Sequence, residues 1–229
     1  MGVGAACVAA YQLTFFAAVE RTGVAAGTIV AIGSAPAFAG LLGWAVRGER
    51  PVRRWWPATA LAVAGGALLV AGAGGEVDLD LLGVALALGA GASYAGYTVA
   101  AKSLLDALPP TAVMGLLFAG GAVLLSPLLL TEPLGWLGEP SGALAALHLG
   151  VLTVAAAYVL FGIGLRGVQV ATAGTLTLAE PVTAAVLGVA VLDESLPPVA
   201  WLGAAVVLGG LLLVATPGRP GAAPRRARR

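Results

Sequence analysis

The chain has 229 residues, of which 59% are hydrophobic and 10% are charged, and its formal net charge is +1. A soluble core of this length does not hide so much apolar surface, so the composition excludes an ordinary soluble domain. The single cysteine, Cys7, excludes a disulfide framework within the chain, and the sequence shows no metal-binding cluster.

Eight apolar stretches, most of them close to 20 residues, follow one another with short polar breaks. A helix of about 20 residues crosses the ~30 Å hydrocarbon core of a bilayer. The sequence therefore predicts an all-α, polytopic transmembrane helix bundle. The eight spans are Val3–Val19, Val24–Val46, Trp55–Gly72, Asp80–Ala101, Thr111–Leu130, Gly142–Leu165, Val170–Leu192 and Val199–Thr216.

Rare residues recur along the chain at a constant shift of 145 positions. The four pairs are Pro36 with Pro181, Glu49 with Glu194, Trp56 with Trp201, and Gly65 with Gly210. This register predicts a duplicated unit. We expect a partial first repeat of three helices in residues 1–76, a second repeat of five helices in residues 77–217, and a disordered basic tail in residues 218–229.

The two repeats are unequal in length. The counterparts of the opening two helices of the second repeat would lie upstream of Met1. We therefore expect a longer protein whose start codon is assigned too late, and the alternative is a genuine eight-helix protein.

Basic residues collect in alternate loops. Eleven of the twelve lie in the 47–54 loop, at Lys102 and Arg166, and in the tail, whereas the other set of loops holds only Arg21. The positive-inside rule then places both termini in the cytoplasm of a bacterial plasma membrane. The counterpart of the 47–54 loop, residues 192–199, has lost every arginine. An inverted repeat predicts this loss, because the two loops face opposite compartments.

Glu180 lies halfway along a predicted span. A carboxylate at this depth is costly to insert and is a candidate functional group. It could couple proton movement to substrate movement, or it could pair with a cationic substrate. The alternative is a neutral side chain that bonds a freed backbone carbonyl. The first repeat has Ala35 at this position, so the halves are chemically unequal.

Pro36 and Pro181 each lie near the centre of a span. Because proline has no N–H, the carbonyls of Ile32 and Thr177 lose their usual partner, and both helices should face the inside of the bundle. We expect a hinge or a carbonyl-lined site, and the alternative is a fixed kink.

Other polar groups lie at bundle depth and suit a small amphiphilic metabolite. Their alternative role is hydrogen bonding between helices. With Glu180, the candidates for the substrate and proton pathway are Tyr11, Gln12, Ser34, Tyr94, Tyr97, Tyr158, Thr175 and Thr177.

Residues near the predicted membrane surfaces are expected to be structural. Glu49 and Glu194 should brace the helix that follows each of them, and Trp56 and Trp201 fit interfacial anchors. Lys102 should snorkel to the surface. Small residues at 60, 64, 205 and 209 predict close helix approach, either inside the scaffold or in a homodimer.

Several of these motifs together resemble the EamA-type transporters of the drug/metabolite transporter superfamily. They are Tyr11-Gln12-x-x-Phe15-Phe16, Pro36 with Gly48-Glu49-Arg50, Ser93-Tyr94-Ala95-x-Tyr97 with Lys102, and Glu180-Pro181 followed by Asp193-Glu194. The resemblance covers nearly all of residues 1–217. It implies an inverted five-plus-five helix repeat, of which this chain has eight helices, and termini inside the cell.

The resemblance implies a secondary active transporter that exports amino acids, their derivatives or drugs by alternating access. The expected partners are a small-molecule substrate, the lipid bilayer and protons, with no cofactor and no nucleic acid. Without a Gly-x4-Gly-Lys-Ser/Thr loop, direct ATP hydrolysis is not expected. The alternatives are a nucleotide-sugar or lipid-linked-sugar carrier and a non-transporting membrane scaffold or fragment. The sequence lacks the paired nucleophile and base of an enzyme.

Overall fold

The computed structural model describes residues 1–72, 80–131, 133–193 and 195–216. Glu194 and the predicted basic tail lie outside these residues. The described part contains helices and no strands. Its helices are α1 (Gly2–Arg47), α2 (Trp55–Gly72), α3 (Leu81–Leu105), α4 (Pro110–Leu125), α5 (Pro140–His148), α6 (Ala157–Gly167), α7 (Val170–Leu176), α8 (Ala179–Leu192) and α9 (Pro198–Ala215).

Seven helical stretches of the described chain are long and apolar enough to cross a membrane. Short 3₁₀ turns extend α4 to Leu130, and a π-helix at Leu149–Ala156 joins α5 to α6 in one span. α7 and α8 are separate helices, but together they form the single membrane-length stretch Val170–Val191. The prediction of a polytopic helical bundle is confirmed.

The first of the seven stretches contains two of the eight predicted spans. With 46 residues, α1 would be roughly 69 Å long if straight, more than twice the hydrocarbon thickness. Gly23 interrupts it with φ 78° and ψ 160°, a conformation that favours glycine. We call residues 2–22 arm A and residues 24–47 arm B.

Packing against α3 shows that the two arms run in opposite directions. Gly83 of α3 lies against Thr22, and Gly96 lies against Cys7, so α3 is antiparallel to arm A. Farther along α3, residues 91–99 lie against residues 31–39 of arm B in the same order, so α3 is parallel to arm B. Arms A and B are therefore a hairpin of two spans.

Glycine allows α2 and α9 to cross in direct backbone contact. A Cβ atom on Gly65 would lie 2.8 Å from the Gly203 carbonyl oxygen and 2.6 Å from the Val207 nitrogen. On the other side, a Cβ atom on Gly210 would lie 2.6 Å from the carbonyl oxygen of Ala58. Such close approach of small residues is how membrane helices gain packing energy without a hydrophobic driving force.

The contact between α2 and α9 is reciprocal under the 145-residue shift. Gly65 against Gly203 maps onto Gly210 against Ala58, with the two partners exchanged. The helix ends match as well, because arm B and α8 both finish on a left-handed residue: Gly48 (φ 69°) and its counterpart Asp193 (φ 54°). A self-complementary contact of this kind is what a two-fold relationship between repeats requires.

The small residues that were expected at a helix contact do not lie on the faces where α2 and α9 meet. Ala60, Ala64, Ala205 and Gly209 are all exposed on the outer surface. The scaffold interpretation of these four residues is wrong, because the glycines at 65, 203 and 210 form the contact instead. A homodimer through the exposed face stays a prediction.

A cluster of charges joins arm B to α7. One carboxylate oxygen of Glu49 accepts a hydrogen bond from Arg47 Nε at 2.9 Å and lies 3.6 Å from Lys102 Nζ. The other oxygen accepts a hydrogen bond from the Val170 N–H at 2.9 Å. Arg47 also pairs with Asp106 at 3.0 Å. We call the side of the bundle that carries this cluster the Arg47 face, and the opposite side the Arg21 face.

Two predictions about this cluster are wrong. Glu49 braces the start of α7, 121 residues farther on, and not the helix that follows it. Lys102 does not snorkel, because its side chain is buried. It donates hydrogen bonds to the carbonyls of Leu165 and Val168, at the connection from α6 to α7. A buried ammonium needs such partners, because an unpaired charge in the interior is costly.

The pKa of Glu49 reflects this environment. Burial acts to raise the pKa, but the hydrogen bonds from Arg47 and the Val170 N–H, with Lys102 nearby, hold it below its ordinary value. A depressed folded-state pKa means that the ionised side chain stabilises the fold above the unfolded pKa, and that this contribution is lost as the pH falls through the folded pKa.

We predict that Glu49→Gln lowers the stability in detergent at pH 7 by roughly 1–3 kcal/mol, because Arg47 and Lys102 lose their counter-charge. The difference in Tm between wild type and variant should shrink once the pH falls below about 4.3. Glu20→Gln, at an exposed position, is the control. A pH-independent difference would contradict the assignment.

Neighbouring glycines of α9 give a second prediction. Gly210→Ala should lower the Tm, since a Cβ there overlaps the backbone of α2 and overpacking costs about 1–3 kcal/mol. Gly209→Ala should leave the Tm nearly unchanged, because nothing lies within 4 Å of that position. Thermal unfolding in detergent measures both, and equal effects of the two substitutions would refute the close contact.

Candidate functional site

The span Val170–Val191 is broken near its middle. α7 ends at Leu176 and α8 begins at Ala179, with Thr177 and Leu178 between them. Pro181 lies in the first turn of α8, where its missing N–H is tolerated. The Thr177 carbonyl, which was expected to lose its partner, accepts the Glu180 N–H at 2.9 Å. The break therefore leaves this backbone oxygen satisfied.

Pro36, the counterpart of Pro181, is placed differently. It lies inside arm B, which continues as a helix on both sides of it. It is buried where α7 crosses, and a Cβ on Gly174 would lie 3.3 Å from the Pro36 Cα atom. The structure thus places one proline at a packed crossing and the other at a helix start.

A large cavity of about 970 Å³ lies beside the break, between arm A and the helices α3, α4, α6 and α8. Of the nine predicted pathway residues, the structure brings six together in its wall. They are Tyr11, Gln12, Tyr94, Tyr158, Thr177 and Glu180.

Glu180 is exposed to this cavity, although it lies in the middle of its span. Its position in the first turn of α8 is favourable for a negative charge, because the free N–H groups of a helix N-terminus carry partial positive charge. The side chain also borders a second groove of about 340 Å³, between arm B, α2 and α8. A carboxylate is thus presented to open space at membrane depth.

Aromatic rings form a continuous band along the cavity. Tyr11 stacks on Phe15 with ring centroids 5.6 Å apart and lies 6.2 Å from Tyr94. Farther on, Phe118 and Tyr158 are 4.2 Å apart. Tyr97 is buried outside the cavity wall and links these two pairs of rings, with its ring centroid 5.1 Å from that of Tyr94 and 6.1 Å from that of Tyr158.

The other three predicted pathway residues do not line the cavity. Ser34 packs against α3, and its hydroxyl donates to the Ala31 carbonyl at 3.1 Å. Thr175 is fully buried and shares a hydrogen bond of 2.7 Å with Thr59 of α2. Tyr97 lies behind Tyr94, and its hydroxyl has no hydrogen-bond partner among the residues described.

The cavity is closed toward the Arg47 face. Val8, Tyr97, Leu105, Met114 and Leu165 belong to one apolar cluster at that end, and the Glu49 cluster lies beyond them. In the other direction the wall continues to Phe16 and Leu125, close to the Arg21 face. The cavity therefore leads from the middle of the bundle toward one face only.

Several known proteins resemble this chain in sequence. The EamA-like transporter family matches residues 81–216. The chain is 46% identical over 224 residues to the uncharacterized transporter YwfM of Bacillus subtilis, a match that covers 98% of this chain and 73% of that protein.

The chain belongs to the EamA-like transporter family. It is a multi-pass membrane transporter and not an enzyme. A probable terminal-alkyne amino-acid exporter of Streptantibioticus cattleyicolor is 30% identical over 213 residues, covering 92% of this chain and 70% of that protein. The threonine/homoserine exporter RhtA of Escherichia coli K12 is 34% identical over 137 residues, covering 57% of this chain and 44% of that protein.

Some residues of this EamA-like transporter's site were missed in the sequence. Phe118, Phe161 and Thr153 line the cavity. Thr153 lies in the π-helix, a conformation often found at functional sites, and a lone threonine in an apolar span is a signal that could have been used. The two phenylalanines carry no such signal, because a lipid-facing ring has the same sequence pattern.

The tryptophans at the start of α2 divide between two roles. Trp56 is exposed, as is Trp201 near the start of α9, so both lie where an interfacial anchor must lie. That role stays a prediction. Trp55, which the sequence did not single out, is buried and donates its indole N–H to the Ala171 carbonyl at 3.0 Å. With the Thr59–Thr175 bond, it fastens α2 to α7.

The cavity predicts a difference between two adjacent positions of arm A. In a Cys7→Ala background, Gln12→Cys should react with a membrane-impermeant thiol reagent, because it lines a cavity that water can enter. Leu13→Cys should not react, although Leu13 is 50% exposed, because that surface faces lipid and the reactive thiolate needs water. Equal labelling of the Gln12→Cys and Leu13→Cys variants would show that the cavity is not accessible to water.

Proposed function

We propose that the protein is a secondary active exporter of amino acids or closely related small metabolites, driven by the proton gradient. The observation that carries the proposal is the carboxylate of Glu180, which is presented to a large aromatic cavity at a break in the middle of a span. The names of two relatives, each described as an amino-acid or threonine/homoserine exporter, support the substrate class.

The proposed mechanism is alternating access between two inverted repeats. The reciprocal contact of α2 with α9 and the matching helix ends at Gly48 and Asp193 support the inversion. Under the positive-inside rule, the Arg47 face is cytoplasmic and so are both termini. The cavity then leads outward, and the Glu49 cluster with its apolar neighbours closes the cytoplasmic side of the bacterial plasma membrane.

Alternating access requires the closed end to open. The parts that must separate are α7, arm B and the α6–α7 connection, all of which meet at Glu49 and Lys102. The break at Thr177 and Leu178 lets α7 move without bending α8. Substrate loading from the cytoplasm therefore follows rupture of a few hydrogen bonds at the Arg47 face, and export follows their re-formation.

The proposed role of Glu180 is to take up and release the coupling proton. We predict that Glu180→Gln reduces efflux of threonine or homoserine driven by a pH gradient to the level of empty vesicles, while the variant inserts and folds normally. The amide keeps the size of the side chain but does not titrate. Efflux is measured in proteoliposomes with an imposed pH gradient, and circular dichroism checks the fold.

Glu139→Gln is the matched control, because Glu139 is an exposed carboxylate outside the cavity. It should transport like wild type. Undiminished pH-driven efflux by Glu180→Gln would remove Glu180 from the mechanism. Absence of efflux in wild type, with the folded protein in the vesicles, would overturn the proposed substrate class.

A further inference from the structure

We propose that the cavity binds monocationic amines with an apolar body in preference to molecules that carry a carboxylate. This inference rests on the proposed function, since it concerns the substrate of the same site. It names the feature of the substrate that is recognised: the ammonium group. An amino acid then binds through its amine, and its carboxylate weakens binding.

The charges in the cavity wall lead to this inference. Glu180 is the one carboxylate among the described residues that line it, and no lysine, arginine or histidine is among them. Basic residues of the bundle lie elsewhere: Lys102 is buried against backbone carbonyls, and Arg21 pairs with Asp80 at 3.1 Å. Among the described residues of the wall, a ligand therefore meets one carboxylate and no basic side chain.

Glu180 is placed where an ammonium can reach it. A small space between the helices is lined by Tyr11, Tyr94, Thr177 and Glu180, and it adjoins the large cavity through the same four residues. The tyrosine and threonine oxygens can accept hydrogen bonds from the two ammonium protons that do not face the carboxylate. Charge-assisted hydrogen bonds to a carboxylate are the stronger kind.

The remainder of the cavity suits an apolar body. The rings of Phe15, Phe118, Tyr158 and Phe161 lie along the wall, and the ring centroid of Phe161 is 6.2 Å from that of Tyr158. Aromatic faces attract cations and bury apolar surface, whereas they offer nothing to an anion. An amine with a short hydrocarbon or aromatic tail therefore matches both parts of the cavity.

A carboxylate on the ligand has no opposite charge to meet. It would bring a second negative charge into a space that already holds Glu180, and it would lose water without gaining an ion pair. For a zwitterion, the available partners are neutral donors: the Gln12 amide and the tyrosine and threonine hydroxyls of the wall. The expected order of affinity is amine first, amino acid second and carboxylic acid last.

Three ligands with the same ring test this order: phenethylamine, phenylalanine and 3-phenylpropionate. Binding is measured by isothermal titration calorimetry on the full chain in lipid nanodiscs. Wild type should bind phenethylamine at least about tenfold more tightly than phenylalanine, with 3-phenylpropionate weakest. Glu180→Gln should lose the preference for the amine, and Glu139→Gln should keep it.

The inference is overturned if the acid binds as well as the amine, if Glu180→Gln keeps the preference while folded, or if none of the three ligands binds. These outcomes differ from failure of the proposed function. Amino-acid efflux without an amine preference refutes only the selectivity. An amine preference without efflux refutes only the transport proposal.

Discussion

Backbone groups inside a bilayer must find partners within the protein or in water, and the break before Pro181 meets this constraint through a local hydrogen bond from Glu180 N–H to the Thr177 carbonyl. Pro181 has no N–H to donate to the Thr177 carbonyl. The helix ends at Leu176, and a new helix begins at Ala179. Such a break in a membrane helix is tolerated where the backbone lines a cavity or packs against protein. The structure has both, with the large cavity on one side and arm B on the other. A restarted helix presents its N-terminus in the middle of the membrane, and Glu180 lies there.

Two segments related by the 145-residue shift, residues 35–36 and residues 180–181, differ in their surroundings. In the first, Ala35 and Pro36 lie in a continuous helix that packs against α7. In the second, Glu180 and Pro181 lie at the restarted helix beside the cavity. The glycine contact between α2 and α9 joins the halves and supports both arrangements. Corresponding positions under the shift thus pack a helix crossing in one case and present a carboxylate to the cavity in the other.

Much of the fold could be predicted from the sequence, because apolar spans and the prolines within them are visible in the residue types. The sequence predicted a break between Val19 and Val24, but it did not identify Gly23 as the residue at which the chain turns back. Six of the nine predicted pathway residues meet at one cavity, since a polar residue in an apolar span usually faces protein or water. Ser34 and Thr175 follow the alternative, hydrogen bonding within and between helices.

The errors share a physical cause. Glu49 and Lys102 were assigned to local roles, although their partners lie on α6 and α7, more than 60 residues away. Trp55 and Trp56 are chemically identical neighbours, and only the rotation of α2 decides which one is buried. The exposed faces of α2 and α9 also carry small residues, among them Ala60, Ala64 and Gly209, so a small-residue pattern alone does not identify the contact face. Long-range pairing and helix rotation are properties of the assembled bundle, and one sequence does not specify them.

The central claim is that Glu180 meets water in the middle of the membrane. Carbon-13 NMR of protein labelled at the glutamate carboxyl groups, in lipid nanodiscs, tests it most directly, with the Glu180 signal assigned by its absence in the amide variant. The signal should follow the pH of the bulk solution and shift when an amine is added. A signal that ignores both would show a carboxyl group sealed inside the bundle, and would contradict the account.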